Sequence, residues 1–204
     1  ALLSLLIFIQ HGIGILSVLY LSFCSAMLVL IMIDLDHRIL PDVITLNGIW
    51  ISVLINIYLA QPSPSTVTLF GLVGAEISNE RLTSLYGSLI GLSCAAGLFW
   101  LVREAFFLIR GIEGMGVGDI KMIAMVGAFL GLPLTLLTIL ISSTVGSVLG
   151  LTVIRVFRKS RNYELPFGTF LGMGAIISLL YGKTIVNFYL KYAFSNSTHN
   201  GAFF

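Results

Sequence analysis

The chain has 204 residues, 57% of them hydrophobic and 10% charged, with a mean hydropathy of +1.04 and a formal net charge of +2. A water-soluble domain carries roughly 25% charged residues to solvate its surface, so this composition excludes a soluble globular fold and reads as an integral membrane protein. The small net charge offers nothing to a nucleic acid, and Cys24 and Cys94, each alone in an apolar run, form no disulfide scaffold and read as small buried or lipid-facing residues.

A bilayer core about 30 Å thick takes about 20 apolar residues of helix. The first 33 residues hold only Gln10 and His11 as strongly polar members, and this run divides into a leading piece at 1–9 and a span at 13–33. Because the chain starts at Ala1 rather than Met, residues upstream are expected, and the leading run reads as the tail of a longer helix. It lacks the basic stretch of a signal peptide. An acid-rich stretch at 34–42 interrupts the pattern, and a second span covers 43–60. Pro62 and Pro64 open a polar stretch reaching Ser84, which reads as a loop outside the hydrocarbon.

The third span, 85–108, carries Gly87, Gly91 and Gly97, small residues that admit close helix approach. Arg103, Glu104 and Arg110 near its end read as interfacial. After a glycine-rich turn at 111–118, residues 119–157 are almost all apolar. As one helix they would reach about 58 Å, about twice the bilayer core. The chain must fold back, and Gly131-Leu132-Pro133 is the expected break. The last span covers 165–189. The expected fold is an all-α transmembrane bundle, a single domain over 1–204 with about six spans and a partial leading helix.

Counted from the 13–33 span, loops 34–42, 111–118 and 158–164 share one membrane face. That face holds Arg38, Arg110, Arg155, Arg158, Lys159 and Arg161, while Arg81 and Lys191 lie near the other. By the positive-inside tendency the first face is cytoplasmic.

All four aspartates fall on that same face: Asp34, Asp36 and Asp42 after the first main span, and Asp119 at the start of the fourth. The first cluster reads Asp34-Leu35-Asp36-His37-Arg38-Ile39-Leu40-Pro41-Asp42. Pro41 disfavours helix at Leu40, so the helix is expected to end near Ile39, with Asp42 as N-cap of the next span. Asp36 lies about 200° around a helix from Asp34, so only one of the two can face the bundle. Arg38, four residues after Asp34, suits an interfacial ion pair, and His37 has no other metal-ligand type at a useful spacing. The second cluster reads Gly114-Met115-Gly116-Val117-Gly118-Asp119-Ile120-Lys121. It lacks the Gly-Lys-Ser/Thr ending of a phosphate loop. Two readings stay open for it: a flexible turn with Asp119 as N-cap, or a site where backbone amides and an acid meet a ligand.

Two acids on different helices, at one depth and on one face, can share a proton, because like charges in a poorly solvated site do not both ionise easily. One carboxylate then takes a proton from water while the other, protonated, donates to a scissile carbonyl. This is metal-free proteolytic chemistry.

The two clusters together with Leu165-Pro166-Phe167-Gly168-Thr169-Phe170 resemble the type IV prepilin leader peptidases, membrane aspartic proteases of the Gly-x-Gly-Asp class. The resemblance covers about 34–175. It implies a catalytic pair of Asp34 and Asp119, supported by Gly116, Gly118, Lys121, Asp36, Arg38 and Pro41, with Lys121 in charge balance and no metal. Thr169 departs from the proline usual at its position, a change with no catalytic meaning in this reading.

The resemblance further implies cleavage of the basic leader of prepilins or type II secretion pseudopilins at the cytoplasmic face of a bacterial inner membrane, with no cofactor for proteolysis. Methylation of the new amino terminus with S-adenosylmethionine belongs, in that family, to a segment with paired Cys-x-x-Cys motifs. None occurs in this sequence, so methylation is expected only if such a segment lies outside it. The alternatives are a preflagellin or presenilin-like Gly-x-Gly-Asp protease, and, in another class, a small proton-coupled transporter. The last needs polar groups at mid-membrane depth, where the sequence has only Gln10, His11, Asn56 and scattered Ser and Thr.

Overall fold

A computed structural model describes residues 2–59, 79–111, 115–156 and 166–199. Every element among them is helical: α1 (Leu2–His11), α2 (Ile15–His37), α3 (Asp42–Leu59), α4 (Glu80–Arg110), α5 (Val117–Leu130), α6 (Leu132–Val156) and α7 (Phe167–His199). Gly114, the basic loop 158–164 and the greater part of the polar stretch, 60–78, lie outside the described residues. Five helices, α2, α3, α4, α6 and α7, are long and apolar enough to cross a membrane. Their exposed side chains include Leu28, Val29, Met32, Trp50, Leu54, Trp100 and Leu101. A broad apolar exterior of this kind suits lipid rather than water as solvent, and the chain is a multi-pass membrane protein.

The helices match the expected order, with three main shifts, one of them at the end of α7, which runs to His199, ten residues past the expected 189. The third span starts earlier, since Glu80 to Ser84 already belong to α4, capped by the Asn79 side chain on the backbone N–H of Arg81. α2 ends at His37, two residues before the expected stop, with Arg38 in the left-handed region at φ 56° and its N–H donating to the Asp34 carbonyl. The foreseen break between the fourth and fifth spans falls at Gly131, where φ is 74°. Pro133 follows in the first turn of α6, where a missing N–H costs nothing.

α5 is the centre of the bundle. It packs against α3, α4, α6 and α7, and nine of its 14 residues are buried. Met122, Ile123, Met125 and Val126 join Met27 and Leu30 of α2 and Leu171 of α7 in one core. The α4–α5 contact depends on glycine. A Cβ on either Gly91 or Gly127 would run into the other residue's backbone, so the two helices touch main chain to main chain. Gly97 has no such role, since a Cβ there would meet nothing within 4 Å.

At about 21 Å, α5 is shorter than the hydrocarbon core. It therefore ends among its neighbours inside the bundle, where its last carbonyls need partners. Two side chains meet that need: Asn56 of α3 donates through Nδ2 to the Ala128 carbonyl at 2.8 Å, and Ser88 of α4 donates through Oγ to the same oxygen at 2.6 Å. The mid-span Asn56 thus serves as a helix terminator. Removing both donors in an Asn56→Leu, Ser88→Ala variant is expected to cost about 1–3 kcal/mol, read as a lower melting temperature in detergent. An unchanged melting temperature would show that these bonds do not hold the end of α5.

Candidate active site

The start of α7, the start of α5 and the turn after α2 meet at one end of the bundle. Leu40, buried in that turn, links them: a Cβ on Gly118 would lie 3.0 Å from the Leu40 Cβ, and one on Gly168 would lie 3.1 Å from its Cδ1. Each motif thus supplies a glycine where the other chain segments come close.

Asp34 is 5% exposed, three residues from the end of α2. Its Oδ2 accepts two hydrogen bonds from α7, from the Thr169 backbone N–H at 2.6 Å and the Thr169 Oγ1 at 2.9 Å. A Cβ on Gly168 would lie 3.0 Å from the same oxygen, so glycine there lets the carboxylate reach the first turn of α7. Asp36 is exposed, in line with the angular argument that only one of the two acids faces inward. His37 and Arg38 are exposed as well.

Asp119 lies in the first turn of the short helix α5, outside the five long spans. The cap of α5 is Gly116, not Asp119. Asp119 stands three residues further on, its backbone N–H donates to the Gly116 carbonyl at 3.2 Å, and its carboxylate takes a hydrogen bond from the Gly116 backbone. Only the N3 half of a capping box is present, because the Gly116 cap has no side chain to return the bond. Burial, and then the charge of Asp34, push the Asp119 carboxyl up to about 7, against the opposing pull of the Gly116 hydrogen bond. The charge of Asp34, brought in by α2, thus acts on the Asp119 carboxyl brought in by α5.

The remaining residues of the two motifs act elsewhere. Lys121 binds Asp42 through both carboxylate oxygens, at 2.7 and 2.8 Å. Asp42 is the first residue of α3 rather than its cap, and Pro41 supplies the carbonyl that accepts from Ile44 and Thr45. Lys121 thus straps the start of α3 to α5 beside the paired acids, a half-exposed ion pair worth roughly 0–1 kcal/mol. Among the described residues, no group of three or more His, Cys, Asp or Glu stands together as metal ligands. A cavity of about 420 Å³ lies toward the other end of the bundle, lined by residues such as Tyr20, Asn56, Ser84 and Lys183, and holds neither Asp34 nor Asp119. Sequence reasoning gave Thr169 no part in the site. Its only signal is a hydrogen-bonding residue in the first turn of an apolar helix.

Fold and site together define a polytopic helical membrane protein with two interacting carboxyl groups at one mouth of the bundle. The chain belongs to the type IV leader peptidase family, whose model matches residues 21–151. It is similar to the prepilin leader peptidase/N-methyltransferases of Stutzerimonas stutzeri and Pseudomonas aeruginosa, each 36% identical over 167 residues, or 82% of this chain and 50% of the relative. The protein of the same name from Pseudomonas putida is 31% identical over 91% of this chain and 57% of its own length. The chain spans about half the length of these curated relatives. No solved structure matches it.

The unequal burial of the two acids in the first motif is open to direct test. Carbodiimide labelling of the folded protein, mapped by mass spectrometry, is expected to modify Asp36 well before Asp34, and equal rates would contradict the orientation of α2.

Proposed function

We propose that the protein is a membrane aspartic endopeptidase that removes the basic leader from prepilins or type II secretion pseudopilins, with Asp34 and Asp119 as its catalytic pair. The observation that carries this reading is that the turn after α2 and the starts of α5 and α7 close around Leu40, which brings one acid from each motif to the same end of the bundle. Membership of the leader peptidase family supports the substrate class. The distribution of basic residues supports a cytoplasmic location for this mouth in a bacterial inner membrane, where a basic leader would lie.

The chemistry follows from a dyad that holds one proton between two acids. Water placed between them loses a proton to the ionised carboxylate as its oxygen attacks the scissile carbonyl, and the protonated carboxyl donates to the carbonyl oxygen. Collapse of the tetrahedral intermediate breaks the C–N bond. The new amine leaves with the proton taken from water, and the second carboxyl recovers its own. No metal or covalent intermediate enters this scheme.

The relatives are also named N-methyltransferases. No residue of this chain is proposed for methyl transfer. S-adenosylmethionine would enter only if a methylation segment lies outside this sequence.

Asp34→Asn and Asp119→Asn are each expected to lower cleavage of a detergent-solubilised prepilin by about a hundred- to ten-thousand-fold, with membrane insertion intact. Loss of insertion instead would mean that the acids serve only the fold. The pH profile carries a sign as well. Asp119 keeps its proton below about 7, so a reaction that needs this proton is retained on the acid side and declines as pH rises through that value. Cleavage that rises steadily above pH 7 would contradict this assignment.

A further inference from the structure

The two acids of the site are held in different ways. Asp34 receives two hydrogen bonds from one residue and on one oxygen: the Thr169 N–H and the Thr169 hydroxyl converge on Oδ2. Thr169 is the third residue of α7, so its N–H is among those a helix leaves without an internal partner. Asp34 therefore caps α7 from a helix 135 residues away in sequence, at the positive end of the α7 dipole. Two donors and the start of a helix thus converge on one oxygen of the carboxylate, and Oδ1 takes no part in these two bonds.

Asp119 has the opposite setting, buried beside Asp34 with a backbone hydrogen bond from Gly116. Lys121 is occupied by Asp42, Asp36, His37 and Arg38 are exposed, and α7 carries no titratable side chain between Phe167 and Tyr181.

We infer that Thr169 is a positioning residue that makes Asp34 the general base of the pair, leaving Asp119 to hold and donate the proton. This rests on the peptidase reading above. In the hydrolytic step, the proton lost by water goes to Oδ1 of Asp34, while the Asp119 proton goes to the carbonyl oxygen. Both return as the C–N bond breaks.

Three variants of the full chain test the inference. Thr169→Val keeps the shape and the N–H but loses the hydroxyl. Thr169→Pro loses both donors at a helical position where proline is tolerated. Thr169→Ser keeps both. With a purified prepilin substrate, kcat of Thr169→Val is expected to fall about tenfold with KM little changed. The acid limb of its pH profile should move to higher pH, further so in Thr169→Pro, and Thr169→Ser should recover the original limb. Asp34→Asn is measured alongside. If it is inactive but the Val and Pro profiles overlay that of the parent, or if Val and Ser lose activity equally, the role of Thr169 is overturned while the peptidase reading survives. If Asp34→Asn cleaves normally, both fail.

Discussion

Carboxylates are costly at the edge of a bilayer unless something in the protein answers their charge, and here backbone amides at helix starts do so. Asp34 is met by the first turn of α7, and Asp119 by the cap residue of its own helix. The rest of the architecture follows from bringing those two helix starts to one place. Leu40 sits between them, small residues at 118 and 168 let the chain close around it, and the Lys121–Asp42 pair fastens α3 alongside.

Placing Asp119 at the start of a helix in the middle of the bundle creates a second problem at the other end of that helix. α5 is too short to reach the far surface, so its last carbonyls need partners inside the protein. Asn56 and Ser88 supply them, and the contact between Gly91 and Gly127 brings α4 near enough for Ser88 to reach. Asn56, a polar residue deep in the bundle, is thus tied to ending one helix.

Much of this was legible in the sequence because it depends on local pattern. Apolar run lengths gave the order of helices, a length twice the bilayer core demanded the break at Gly131, and the 100° advance per residue separated Asp34 from Asp36. What local pattern does not carry is contact across the bundle. Lys121 was expected to balance the charge of the paired acids, yet it lies against Asp42, a residue read only as a helix cap. Thr169 looked like a neutral departure from a motif, and its importance appears only when α2 and α7 are side by side. Asp42, expected as a cap, is the first residue of α3, and the cap of α5 is Gly116, because a start signal in sequence does not say which residue is the last to lie outside the helix.

The central claim is that Asp34 and Asp119 behave as one unit sharing a proton. Infrared difference spectroscopy of the carboxyl C=O band in the purified protein tests it without a substrate. The account predicts a protonated carboxyl that persists to about pH 7, vanishes in Asp119→Asn, and titrates at lower pH in Asp34→Asn because the neighbouring charge is gone. A band that titrates identically with and without the Asp34 charge would contradict it.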